Sequence, residues 1–117
     1  MRKIPTKLKE EMAADPAYKL CALRGGHICQ GKIEWHHHII FAGRQLNEKW
    51  AIVAICEYIH DQVTPICSNG LREGIPGELD RFVLNRATEP ELLAVSKSID
   101  YLRLRDRLNE QESNPTV

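Results

Sequence analysis

The sequence predicts an α+β domain: a strand–loop–strand–helix unit over about residues 18–62, with helices flanking it at both ends. Three observations carry this. Two runs of strand length, Ile33–Phe41 and Trp50–Cys56, are rich in β-branched and aromatic residues. Apolar residues recur at helical spacing from Glu78 onward. The chain has 117 residues, enough for one domain whose core buries roughly two-thirds of the unfolded surface.

The elements follow in order. Thr6–Met12 reads as a short helix with Thr6 as N-cap. Asp15-Pro16 stops it ahead of a second helical turn holding Tyr18, Leu20 and Cys21. Arg24-Gly25-Gly26 and Gln30-Gly31-Lys32 are turn signals. The first strand spans Ile33–Phe41, and Ala42–Gln45 leaves it as a loop. After the second strand, Glu57–Gln62 lacks turn residues and opens a short helix with His60 near its start. Ser68-Asn69-Gly70 and Ile75-Pro76-Gly77 read as turns, and Glu78–Ala87 as a helix carrying Leu79, Phe82 and Val83. Thr88, with Pro90 in the first turn and Glu91 three residues on, starts a last helix. Its stripe Leu92, Val95, Ile99, Leu102 and Leu108 carries it to about Asn109, giving a helical extension over about residues 78–109. The stripe suits packing on the core, with a homodimer contact through this helix as the alternative. A polar tail, Glu110–Val117, follows. The whole chain, 1–117, reads as one domain without internal repeats.

Composition narrows the function classes. Hydrophobic residues make up 43% of the chain and charged residues 27%, as in folded soluble proteins. No apolar run approaches the roughly 20 residues of a membrane span. The basic N-terminus lacks the apolar stretch of a secretory signal, so a cytoplasmic location is expected. Net charge is zero, but the halves differ. Residues 1–50 hold nine Lys/Arg and five Asp/Glu (+4), and residues 51–117 hold seven and eleven (−4). A polyanion is drawn to the first half, where most of the histidines lie. Without a secretory signal, Cys21, Cys29, Cys56 and Cys67 suit metal binding or free thiols better than disulfides.

His36-His37-His38 sits inside the first apolar run. Side chains alternate faces along a strand, so neighbouring histidines are poorly placed as a pair on one face but can do two jobs. One can bind a metal while the next acts as a general base. His60, after the second strand, could complete the metal site. Phosphodiester hydrolysis needs a base titrating near neutrality and a counter-charge for the phosphate, which an imidazole and a cation provide. Arg44 reads either as a phosphate clamp, because its guanidinium binds phosphate as a fork, or as a solvated loop residue.

Glu34-Trp35-His36-His37, then Ala42-Gly43-Arg44-Gln45, then Asn47-Glu48-x-Trp50-Ala51-Ile52-Val53 and Cys56-x-x-x-His60 resemble the HNH endonucleases, in particular a branch common in bacteriophage genomes. The resemblance covers about residues 18–62. It implies a ββα-metal core gripping one divalent cation (Mg, Mn, Ni or Zn) and cleavage of DNA. It implies His36 and His60 as metal ligands and His37 as general base. A register slipped by one residue would make these His37 and His38.

Two departures stand out. Ala51 occupies the usual position of the middle Asn, nine residues before His60; either the nearby Asn47 takes that role or the role is unfilled. Many relatives also hold a structural zinc with paired Cys-x-x-Cys or Cys-x-x-His ligands. Here Cys21-x-x-Arg24 and Cys56-x-x-Ile59 keep only the first partner. Cys29 and Cys67 could complete a rearranged zinc site, or Ile59 could replace it with apolar packing. The alternatives to an active nuclease are a weak or inactive nucleic-acid-binding module and a zinc-stabilised interaction module.

Overall fold

The computed structural model describes residues 3–25, 27–66 and 70–113. Helix α1 spans Thr6–Ala14 and is followed by a 3-10 turn, Pro16–Lys19. Strands β1 (Ile33–His37), β2 (Ile40–Phe41), β3 (Arg44–Gln45) and β4 (Ile52–Cys56) come next, with a 3-10 turn Lys49–Ala51 ahead of β4. Helices α2 (Glu57–His60), α3 (Gly74–Arg86), α4 (Glu89–Val95) and α5 (Tyr101–Ser113) complete the described chain. The α+β class expected from the sequence is what the structure shows. Among the described residues, no helix is long and apolar enough to cross a membrane.

β1 and β4 pair antiparallel, with Ile33 opposite Cys56 and His37 opposite Ile52. Every residue of β4 is buried, because both of its faces are covered. Val53 and Ile55 join the core built by α2, α3, α4 and α5. Ile52 and Ala54 point the other way, to Ile4, Met12 and Tyr18 of the N-terminal segment. The strand period of two thus divides one apolar run between two clusters.

The expected first strand is broken. Pairing with β4 stops at His37, and Ile40–Phe41 instead pairs with Arg44–Gln45 as a second hairpin. At the break, the His38 N–H donates to the Ala51 carbonyl and the His38 carbonyl accepts from Ile66 N–H. The expected loop Ala42–Gln45 is therefore a tight turn plus a strand. Ala42 (φ 53°) and Gly43 (φ 77°) both take positive φ, which matches the right-handed twist of a two-residue hairpin. Trp50 and Ala51 leave the second strand for a 3-10 turn. Arg86 of α3 holds this turn, its guanidinium donating to the carbonyls of Lys49, Trp50 and Ile52.

The helix ends differ from expectation in four places. Pro5 caps α1, since its carbonyl accepts the Lys9 N–H, and Thr6 is already helical. α2 is a single turn, so His60 is its last residue rather than its start. Ile75-Pro76-Gly77 is the first turn of α3, where proline is tolerated because its missing N–H has no partner to lose. The last helix is two helices. Ser96 Oγ donates to the Leu92 carbonyl and accepts the Tyr101 N–H, ending α4 and starting α5. The capping box of Thr88 and Glu91 is present as expected. Leu92, Val95, Leu104 and Leu108 are buried within this chain's own core, and Ile99 and Leu102 pack against it. A homodimer through this region would have to use another face.

Gly77 lies buried inside α3, where a Cβ would collide with the carbonyl oxygen of Arg72. The missing side chain is what lets the segment before α3 pass so close. Gly77→Ala is expected to cost ~1–3 kcal/mol, the usual range for overpacking. A urea melt with a lower midpoint and unchanged slope would show it. A wild-type midpoint would mean that the Arg72 segment moves freely.

Candidate functional site

Two clusters of chemically active side chains flank the β1–β4 hairpin. The first joins Cys21, just after the first 3-10 turn, His27 and Cys29 in the loop before β1, and Cys56 at the end of β4. One ligand atom from each lies within 4.8 Å of all the others. His27 Nε2 is 3.3 Å from Cys56 Sγ, 3.4 Å from Cys29 Sγ and 3.9 Å from Cys21 Sγ. In a tetrahedral zinc site, bonds of about 2.3 Å to sulfur and 2.0–2.1 Å to nitrogen place neighbouring ligands roughly 3.5–3.8 Å apart. The donor set and its spacing therefore fit a metal ion such as zinc.

The electrostatics agree. Burial works against ionising Cys56, but backbone N–H groups of Ile59 and Gln30 and the His27 ring bring its thiol down to about 6. Desolvation and the crowding sulfurs of Cys21 and Cys56 push Cys29 up to about 11. A bound cation would relieve that crowding by accepting all three sulfurs.

His27 is the candidate ligand that sequence reasoning missed. It stands apart from the histidine run, and the four cysteines alone could make up a complete ligand set. The signal was present in Cys21-x-x-x-x-x-His27-x-Cys29, since tetrahedral sets accept His as readily as Cys. Cys67, the expected fourth ligand, lies outside the described residues. Arg24 and Ile59, three residues after Cys21 and Cys56, have other work. Arg24 donates to the Cys21 carbonyl at 3.1 Å, and Ile59 is fully buried in the core.

The second cluster is built on β1. Glu34 and His36 share one face of the strand, and His60 comes back to it from α2. The rings of His36 and His60 lie 5.1 Å apart between centroids, close enough for a shared cation. His60 Nδ1 is 2.8 Å from Glu34 Oε1. His36 Nε2 is 3.1 Å from His38 Nδ1. His38 is fully buried, and its Nε2 is 2.6 Å from Asp80 Oδ1 of α3. Arg72 donates from Nε to Asp80 Oδ2 at 2.8 Å.

Burial pushes the His36 imidazole down to about 3, with the neighbouring His38, His60 and His37 adding to the effect. Burial also lowers His38, against the opposing pull of Asp80. Burial alone would raise the Asp80 carboxyl, but hydrogen bonds from Arg72 and His38 hold it below its ordinary value. At neutral pH, then, Asp80 is a carboxylate and both histidines are neutral.

His37 is on the opposite side of the strand. Its Nε2 is 2.8 Å from Asn47 Oδ1. The Asn47 amide donates at 3.0 Å to the Lys3 carbonyl, which orients the oxygen toward His37. His37 is only 3% exposed. Arg44 stands exposed on β3 and is not brought into the histidine network among the described residues. A cavity of about 750 Å³ between the β2–β3 hairpin and the α4–α5 turn, lined by Ile40, Ile66 and Ile99 among others, excludes both clusters.

Comparison of the chain with protein-family models, with curated proteins and with solved structures finds no match.

Proposed function

We propose that this chain is an HNH-type endonuclease with a ββα-metal core that hydrolyses DNA phosphodiester bonds with a divalent cation. The observation that carries the reading is the His36–His60 couple on one face of β1, with His37, at the next strand position and on the other face, held by Asn47. Because Asn47 Oδ1 accepts the Nε2–H of His37, Nδ1 keeps the lone pair and can take a proton from the attacking water. This is the holding role expected of the family's middle Asn, filled from position 47 rather than 51. His36 and His60 would hold the cation, which would neutralise charge on the phosphate and on the departing 3′ oxygen. Two imidazoles leave positions open for water and substrate, as a catalytic site requires. Imidazole donors favour Ni or Zn over Mg, with the Glu34 carboxylate nearby as the harder donor. We also infer that a structural zinc held by Cys21, His27, Cys29 and Cys56 ties the loop before β1 to the end of β4.

One observation favours the second reading, a weak or inactive nucleic-acid-binding module: His37 is almost closed off from solvent. Supercoiled plasmid incubated with the protein and Mg²⁺, Mn²⁺ or Ni²⁺, against an EDTA control, separates the two. Metal-dependent nicking or linearisation is expected. A gel shift without cutting under every metal would sink the nuclease reading and leave the binding module.

A further inference from the structure

We propose that Asp80, acting through His38, is a positioning residue that presents the Nδ1 lone pair of His36 to the cation, while Glu34 presents Nε2 of His60 directly. The inference rests on the reading of His36 and His60 as cation ligands. It adds a residue from α3, outside the segment that resembles the HNH family.

The argument is one of donors and acceptors. A carboxylate only accepts hydrogen bonds, and a neutral imidazole has one donor nitrogen and one acceptor nitrogen. His38 Nε2 faces Asp80 Oδ1 at 2.6 Å, so Nε2 carries the proton and Nδ1 the lone pair. That Nδ1 lies 3.1 Å from His36 Nε2, which must then donate. His36 is left with Nδ1 as its only free lone pair. The same logic at His60 is shorter. Its Nδ1 faces Glu34 Oε1 at 2.8 Å, so Nδ1 donates and Nε2 stays open.

The relay is held in place by its surroundings. His38 is fully buried and Asp80 is 1% exposed, so water does not compete for either bond. Arg72 forks onto Asp80, donating from Nε to Oδ2 and from Nη2 to Oδ1, and it also bonds the Thr64 carbonyl and hydroxyl; the same Nη2 stands 3.5 Å from His38 Nε2, well outside the 2.6 Å at which Asp80 Oδ1 takes that nitrogen's proton. Hydrogen-bonded partners behind a metal-binding histidine set its tautomer and its orientation, and losing one typically costs 10–100-fold in affinity. A carboxylate reaching a ligand through a second histidine extends that arrangement by one ring. His38 thereby has a use that does not require contact with substrate, which its burial forbids.

The test reads tautomers directly. Nitrogen-15 NMR of the labelled protein, with its thiol cluster loaded with zinc, reports which nitrogen of each ring is protonated. Wild type is expected to show Nε2–H at His36 and His38 and Nδ1–H at His60. Adding further Zn²⁺ is expected to shift His36 Nδ1 and His60 Nε2. In Asp80→Asn the side chain can no longer accept at both oxygen positions. Arg72 donates toward both positions, so the amide must set an N–H against either Arg72 Nε or His38: the first loosens the anchor behind the relay and the second inverts both of its rings, and either one disturbs how His36 is held. Zn²⁺ affinity at this second site is expected to fall ~10–100-fold. His38→Leu, which removes both ring nitrogens, is expected to fall as far, and His38→Asn, which keeps an acceptor where Nδ1 stood but loses the bond to Asp80, is expected to fall less than His38→Leu.

An unchanged His36 tautomer and unchanged affinity in Asp80→Asn would overturn the relay and leave the nuclease reading standing. If added Zn²⁺ shifts neither His36 nor His60 in wild type, the inference and the ligand assignment both fail. If Asp80→Asn does not fold, the wild-type spectrum still decides, because a His36 carrying its proton on Nδ1 contradicts the proposal.

Discussion

His37→Ala is expected to lower metal-dependent DNA cleavage by at least ~100-fold, within the roughly 10²–10⁴-fold that a positioned general base contributes. The geometry explains why the loss should be catalytic. Alanine removes the one imidazole that Asn47 orients, while Asn47 keeps its bond to the Lys3 carbonyl. The β1–β4 ladder is backbone and is untouched. Circular dichroism should therefore match wild type. Asn47→Ala should give a smaller loss, roughly 10-fold, since the base survives but its tautomer is no longer held. His38→Ala should behave differently. It opens a cavity at a fully buried position and takes one partner from Asp80, so a lower melting temperature is expected alongside any loss of activity. A folded His38→Ala protein that is dead, beside an active His37→Ala protein, would show that the register is slipped by one.

The second large effect concerns the thiol–imidazole cluster. Protein purified without added metal is expected to carry about one zinc per chain, and chelation is expected to lower the melting temperature by roughly 10 °C or more. That shift corresponds to several kcal/mol in a domain of this size, and structural metal binding is coupled to folding on that scale or above. The cluster closes long loops: His27 and Cys56 are 29 residues apart in the chain. His27→Ala should reproduce the chelated state, because it removes the ligand in contact with all three sulfurs. Cys67→Ser should leave zinc content unchanged, since four ligands already converge without it. Elemental analysis of the three proteins decides. Substoichiometric metal in wild type with no thermal response to chelator would mean that Cys21, Cys29 and Cys56 remain the free thiols seen here.

Several features were legible in the sequence because their causes are local. The Thr88–Glu91 capping box lies within one helical turn, and the apolar run Ile52–Cys56 reads as a strand because most of its residues are β-branched. The order strand, loop, strand, helix also brought His60 back to His36 as expected, since a hairpin followed at once by a helix leaves little other route. The failures share a different cause. The break after His37 reads as continuous strand in composition. It is made by backbone bonds from His38 to Ala51 and Ile66, and by a tight turn whose Ala42 carries an uncommon positive φ. The division of the last helix rests on one serine that bonds both sides of the gap.

By itself, then, the sequence determined the α+β class, the strand that crosses the core and the residues of the histidine run. Those follow from side-chain period, branching and capping, which act over a few residues. Tertiary structure alone decided which side chain completes each cluster. His27 replaces Cys67 as the cysteines' described partner because the loop before β1 folds over the end of β4. Asp80 reaches His38 across 42 residues because α3 packs on the hairpin and Gly77 lets the Arg72 segment pass close beside it. Such contacts depend on how separate elements dock, and a buried carboxylate is stable at position 80 only where Arg72 and His38 both arrive to pair it.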